Sequence, residues 1–515
     1  MAVALAELHA MLRQGIAALE GGDLALAEMV FRAAVERHPR AHEAWNLLSV
    51  VAVRSGQPEV SAACARKALE LDRRNAIYQN NLGIACGELG LLDDAEAAFR
   101  RALKTQPVYP QALYNLGKVL HKLNRVDEAV RAYERAHAMA PNEPGLRRNL
   151  AQLYQQRGQP ERALAMLEEM GGPPDEAHAS TYAACLADAK GDAAAIAWLS
   201  RLVEQRPEWS TLRFERGARY LGLGRWLEGW DDYLSRPGIP RGERAAHLPE
   251  RLEEASVLLM AEQGLGDTLF FLRFAPLLRK RGARTTLHCP PKLLDLLRGH
   301  AVVDEVIDER EPPGRFDYTV WVGDLPWLLG SITAEPPVPV RGREVGQEKL
   351  RAIGPAPYLA LTWRAGSDVH QGPEFGRAHA ALSKEVPLEA LAAAVRGWPG
   401  TLVSVQRNPL PGETERLGEL AGARVHDLSA LNDDLVAMTG VLAAIEEYVA
   451  VSNTNIHLRA GVGKAARVLV PQPPEWRWMA AGERSPWFPD MPVYRQAISR
   501  DWSQALARLR RNLMP

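Results

Sequence analysis

The chain has 515 residues, 47% hydrophobic and 24% charged, with 62 Lys and Arg against 63 Asp and Glu. This composition excludes a disordered or fibrous chain, and the balanced charge excludes a strong overall field for nucleic acid or acidic membrane. Four scattered cysteines, Cys64, Cys86, Cys185 and Cys289, form neither a disulfide framework nor a zinc pattern, and no stretch reaches the ~18 apolar residues of a membrane span.

At about 150 residues per domain the length predicts roughly three folding units. The opening MAVALAELHAMLRQG has no signal-peptide pattern, so a cytoplasmic protein is expected. Along the first third, Leu48-Ser49, Leu82-Gly83, Leu116-Gly117 and Leu150-Ala151 recur at a 34-residue step. Ala27, Ser61, Ala95, Ala129 and Ala163 keep that step, as do Phe31, Ala65, Phe99, Tyr133 and Leu167. Pro39, Pro107 and Pro141 close several of the units, where a chain leaving one helix pair must turn. Small residues permit close helix approach, and the bulky residue four places on is expected to fill the gap between neighbouring units. The pattern resembles the tetratricopeptide repeat over about residues 7–170, and residues 175–252 are expected to be atypical closing repeats and linker.

Asn81, Asn115 and Asn149 also repeat at 34, on the first helix of each unit. Asparagine inside a helix is mildly unfavourable, so a register of three calls for a reason. One is that the carboxamides hold the backbone of an extended client peptide in the repeat groove. The other is that each bonds a neighbouring helix. The arrangement is similar to the asparagine ladder of protein O-linked N-acetylglucosamine transferases.

From about residue 253 the period changes. Apolar runs of strand length, at 255–261, 284–289, 318–323, 358–364, 401–407, 447–453 and 466–471, alternate with amphipathic helical stretches. Such alternation predicts parallel sheets whose ligands bind beyond the strands' carboxyl ends. The Pro- and Gly-rich PPVPVRGREVGQ divides this half. The expected organisation is 1–174 repeats, 175–252 closing helices, and two Rossmann-like domains at 253–345 and 346–515.

EQGLGDTLFF follows the first strand, with Gly264 and Gly266 allowing close approach of a ligand and Asp267 starting a helix, as cap or as catalyst. In the second domain Trp363 and Arg364, Lys384, Gln406 and Arg407, Glu413, and Asn453, Thr454, Asn455 and His457 lie near successive strand ends. Cations beside helix N-termini suit a diphosphate, and a carboxylate at the next strand end suits a ribose. The stretch Pro473 to Arg495 gathers Trp476, Trp478 and Trp487, either to stack on a sugar or base or to pin the tail across the domain junction. Trp226 and Trp230 are expected to pack the closing repeats.

The segments EQGLGDTLFFLRFAPLL, LSKEVP, GETERLGELAG and SNTNIHLRAGVGKAARVLVP resemble the glycosyltransferase family 9 heptosyltransferases, and more closely bacterial proteins that fuse tetratricopeptide repeats to such a domain. The resemblance implies a solenoid followed by two Rossmann-like domains of GT-B type that use a nucleotide-sugar and no metal or other cofactor. It places Asp267 as general base, Lys384 on phosphate, Glu413 (with Glu415 close by) on the ribose, and Thr454 with its neighbours on the diphosphate. Asn453-Thr454-Asn455 departs from the family's usual Asp-Thr-small, which removes one negative charge.

The resulting expectation is a protein glycosyltransferase, with a client protein held by the repeats; by family analogy a flagellin or another surface protein is a candidate acceptor. The alternatives are a non-enzymatic repeat adaptor with a degenerate α/β half, and an envelope-glycan transferase.

Overall fold

In the computed structural model, which describes residues 2–168, 172–173, 175–239, 247–262, 264–365 and 384–514, the chain divides after Gly172 into two units. The first consists, among the described residues, of consecutive helix pairs from Ala2–Glu20 with Leu24–Arg37 to Pro144–Gln156 with Pro160–Glu168. The turn inside each pair holds one residue of positive φ, and these positions keep the 34-residue step: Gly22 (80°), Gly56 (71°), Gly90 (76°), Asn124 (57°) and Gly158 (66°). Left-handed backbone is strained for most side chains, so the turn selects Gly or Asn.

Small and large residues of the period complement each other within a pair. A Cβ on Gly15, Gly83 or Gly117 would lie 2.4, 2.7 or 2.5 Å from the ring of Phe31, Phe99 or Tyr133. The bulky residue therefore packs over the small residue of its own pair rather than filling a gap between units. Where Ala65 replaces the ring, Ser49 replaces the glycine, and its Oγ lies 3.0 Å from that of buried Ser61.

In the second unit two further helix pairs, Glu176–Lys190 with Asp192–Gln205 and Ser210–Gly222 with Trp226–Tyr233, precede an α/β region. One sheet contains β1 (Ser256–Met260), β2 (Arg284–Cys289), β3 (Glu305–Asp308) and β4 (Tyr318–Trp321), in the order β3-β2-β1-β4. The chain then forms β5 (Tyr358–Thr362), β6 (Arg364–Ala365), β7 (Lys384–Glu385), β8 (Thr401–Ser404), β9 (Val425–Asp427), β10 (Glu447–Val451), β11 (Arg467–Val470) and β12 (Val493–Arg495). The second sheet has the order β12-β11-β10-β5-β8-β9, while β6 and β7 form a small antiparallel pair. Every pairing in the two larger sheets is parallel.

β3, β9 and β12 escaped the strand pattern and lie at sheet edges; β4 is an edge strand too, but its YTVW falls within an expected run. Edge strands are short and need less apolar surface, so EVID, VHD and VYR lack the continuous hydrophobic run of an interior strand.

The Pro- and Gly-rich divider is packed rather than free. Val338 and Val340 are buried, and Val340 N donates to Gly461 O at 3.0 Å. The expected boundary between 345 and 346 falls inside the helix Glu344–Ile353. That helix closes on Leu435–Ala444 through glycine: a Cβ on Gly346 would stand 2.3 Å from Ala437 O, and one on Gly440 2.1 Å from Arg343 O. It therefore belongs to the layer covering the second sheet.

An aromatic seam joins the last helix pair to the α/β region. Ring centroids lie 4.9 Å apart for Trp226 and Trp487, 5.4 Å for Trp230 and Trp476, and 5.1 Å for Phe270 and Trp476. Trp226 and Trp230 thus do more than pack the closing repeats. Among the described residues no helix is long and apolar enough to cross a membrane.

Candidate functional site

The glycine loop after β1 is clamped at its first residue. Buried Glu262 receives a two-pronged bond from Arg236, Nε to Oε2 and Nη2 to Oε1, both 2.7 Å. Gly323 N adds a bond of 2.6 Å, and Arg236 Nη1 also reaches Asp324 Oδ1 at 2.5 Å. Burial alone would pull the Arg236 guanidinium down, but Glu262 and Asp324 outweigh it and leave it above its ordinary value. Arg236 follows the closing helices, so the last repeat anchors the loop.

Gly264, not Asp267, caps the helix Leu265–Phe271. Asp267 lies in the first turn, with its side chain 26% exposed, and its Oδ1 accepts Arg477 Nη2 at 2.5 Å. Gly266 meets the second sheet's machinery: a Cβ there would stand 3.5 Å from Thr454 Cα and 3.3 Å from His457 Cδ2. Here the helix meets Thr454–Gly461, which follows β10.

Lys384 is brought to the site by the pairing of β6 with β7, Ala365 opposite Lys384. Its Nζ pairs with Glu475 Oε1. Glu475 Oε2 accepts Ser452 Oγ at 2.7 Å and faces Arg477 Nη1 at 3.6 Å. Burial would push the Glu475 carboxyl up, but Lys384 and Arg477 outweigh it and hold it below the usual range. Burial likewise opposes the charge of Arg477, and Asp267 and Glu475 overcome it, leaving the guanidinium raised. Arg477 Nε has no hydrogen-bond partner among the described residues.

Two expected donor contacts are occupied by each other. Glu413 Oε1 accepts Arg364 Nη1 at 2.7 Å and Trp363 Nε1 at 2.8 Å, while Oε2 accepts Arg364 Nη2 at 3.0 Å and Leu410 N at 2.8 Å. Its carboxyl sits below the usual range because these bonds outweigh burial. Gln406 ties the same segment down, accepting from Trp363 N and Arg364 N and donating to Arg364 O. Arg364 and Glu413, expected on a diphosphate and a ribose, bond each other here and brace the end of β5 against β8. Glu415, in the same first turn, is exposed.

Asn453 is the cap of helix Thr454–Gly461, its Oδ1 accepting Asn455 N at 2.7 Å. Its Nδ2 donates to Val451 O at 2.7 Å and Tyr448 Oη at 3.2 Å. An aspartate cannot donate those bonds, which is a physical reason for Asn here. Asn455 is buried and bonds Asn432 Oδ1 at 3.1 Å. His457 packs between Phe270 and Phe488 at ring distances of 6.2 and 5.5 Å. Burial, then Arg477, Arg273 and Lys384, hold its imidazole well below its ordinary value, so it stays neutral. Asn453, Asn455 and His457 accordingly shape the loop, leaving half-buried Thr454 at the helix start.

The structure thus brings Asp267, Lys384, Gly266 and Thr454 together and adds two groups the sequence reading missed, Glu475 and Arg477. Their signal was an acid and a base flanking Trp476 just beyond a strand. Among the described residues no group of three or more His, Cys, Asp or Glu side chains is placed to hold a metal.

The asparagine register of the first unit is internal. Asn81 Nδ2 donates to Asn46 Oδ1 at 2.7 Å, Asn115 Nδ2 to Asn80 Oδ1 at 3.1 Å, and Asn149 Nδ2 to Tyr114 Oη at 3.1 Å. Each bond reaches the first helix of the preceding repeat, so the carboxamide donors assigned to a client peptide stitch neighbouring repeats together.

Tetratricopeptide repeat profiles match residues 12–76, 49–103, 82–144 and 125–172, and helix pairs continue to Tyr233. The fold is therefore a tetratricopeptide-repeat solenoid followed by an α/β region with parallel sheets. The chain is similar to Protein FlbA of Caulobacter vibrioides, 25% identical over 341 residues, 58% of this chain and 54% of FlbA, so it spans about half of that relative's length. Solved structures similar to part of it include Pseudomonas aeruginosa pilF, at 22% identity over 39% of this chain and 92% of pilF with a TM-score of 0.36. The type IV pilus biogenesis factor PilW is 20% identical over 39% of this chain and 94% of its own, with a TM-score of 0.37.

Proposed function

We propose that the α/β region is a metal-independent GT-B glycosyltransferase that moves a sugar from a nucleotide-sugar to an acceptor hydroxyl on a protein client held by the repeats. The observation that carries this is the gathering of Asp267, Lys384 and Arg477 beyond the carboxyl ends of β1 and β10, beside the start of helix Thr454–Gly461. Asp267 takes the acceptor's proton as the glycosidic bond forms, a contribution of ~10²–10⁴-fold for a positioned base. Lys384, Arg477 and the amides at Thr454 stabilise the departing nucleoside diphosphate, where negative charge grows.

Calorimetric titration of UDP, GDP, ADP and CMP into the wild type and Lys384→Ala tests the donor site. One nucleotide binding preferentially, with affinity lost in the variant, supports the transferase and names the donor class. No binding to the wild type favours a second function, that of a non-enzymatic repeat adaptor. The engagement of Lys384 by Glu475 and of Arg364 by Glu413 is what favours that alternative.

A further inference from the structure

We propose that Glu475 is a built-in anion that occupies the place of the donor diphosphate on Lys384 and Arg477, so that donor binding is an exchange of one anion for another. This rests on Lys384 being the phosphate-binding cation. Glu475 pairs with Lys384, faces Arg477 Nη1 at 3.6 Å and takes the Ser452 hydroxyl at 2.7 Å. Ser452 stands two residues before Thr454, the first residue of the eight-residue helix Thr454–Gly461, so the carboxylate is held beside the loop assigned to phosphate.

Charge bookkeeping points the same way. Lys384 is paired with Glu475 and Arg477 with Asp267, so each of the two cations already has a carboxylate partner. A diphosphate cannot share Lys384 with a carboxylate already in contact without strong like-charge repulsion. Removing Glu475 frees Lys384 for phosphate and leaves Arg477 with Asp267 as its remaining carboxylate. Ser452 supplies only a hydrogen bond that steadies Glu475, so its loss loosens the competitor without changing charge.

UDP, GDP, ADP, inorganic pyrophosphate and uridine are titrated calorimetrically into the full-length wild type, Glu475→Gln, Ser452→Ala and Lys384→Ala, with circular dichroism reporting folding. Glu475→Gln is expected to tighten a diphosphate at least about tenfold, the scale of close charge-pair coupling, and Ser452→Ala about threefold. Adding Lys384→Ala removes both gains, and uridine, which carries no phosphate, gains nothing. Should Glu475→Gln fail to fold, Ser452→Ala carries the test. Diphosphate binding that depends on Lys384 but is unchanged or weaker in the folded Glu475 and Ser452 variants overturns the exchange and leaves the phosphate site standing. Equal tightening of uridine also overturns it, since that would mean a widened cavity. If none of the proteins binds any diphosphate, the phosphate role of Lys384 fails and the exchange fails with it.

Discussion

Arg477 Nη2 lies 2.5 Å from Asp267 Oδ1 although 210 residues separate them in the chain. The contact ties the C-terminal stretch beyond β11 to the first turn after the glycine loop of β1. It orients the carboxylate proposed as base and places a guanidinium beside it at the proposed phosphate site.

Asp267→Asn keeps a side chain of the same shape and leaves Arg477 with one fewer anion. Transfer to a client protein, followed by intact mass, is expected to fall by about 10²–10⁴-fold. Donor affinity should be unchanged or tighter. Full turnover in the variant would remove Asp267 from the chemistry.

Asn453→Asp restores the residue usual in the resembled family and is nonetheless expected to destabilise the protein. It loses the donations to Val451 O and Tyr448 Oη and sets a carboxylate oxygen about where Nδ2 now stands, 2.7 Å from a carbonyl. The cost is expected at ~1–3 kcal/mol, the scale of a buried acceptor left unsatisfied. Denaturant unfolding measures it, and an unchanged midpoint would show that the loop adapts.

His457 predicts a pH dependence of stability. Its folded-state imidazole is held well below the ordinary 6.5, by burial first and then by Arg477, Arg273 and Lys384. Between the two values the unfolded chain binds more protons, so stability is full above about pH 6.5 and falls on acidification, by up to ~1.4 kcal/mol per unit. Glu475 and Glu413, lowered from 4.5, add their own loss only below about that pH. Melting temperatures of wild type and His457→Gln should therefore converge as pH drops from about 6.5 to 5. Parallel curves would contradict this.

Gly83→Ala tests the packing rule of the repeats. The new Cβ would lie 2.7 Å from the Phe99 ring, and overpacking of this kind costs ~1–3 kcal/mol even though alanine favours helix. Pairing it with Phe99→Ala, which reproduces the Ser49 and Ala65 size balance, should recover part of the loss in thermal unfolding.

The 34-residue step was legible in the sequence because each helix pair packs mainly on its neighbours, so identical demands return at identical intervals. The glycine turns at 22, 56, 90 and 158, with Asn124 between them, carry the same signal in backbone form. The interior strands were legible for a similar reason: β1, β5, β8 and β10 are covered on both faces and must be apolar throughout. Edge strands lack that demand: β3, β9 and β12 were not legible, while edge strand β4 was, through its apolar YTVW. Asp267 and Lys384 stood out beside glycine and strand ends, but their partners did not. Arg236 finds Glu262 and Asp324, Glu475 finds Lys384, and Glu413 spends itself on Arg364 only once the chain has crossed between layers. Periodicity follows from local helix and strand geometry and is written along the chain. Which carboxylate neutralises which cation depends on side chains that meet from distant segments, and only the tertiary structure decides that.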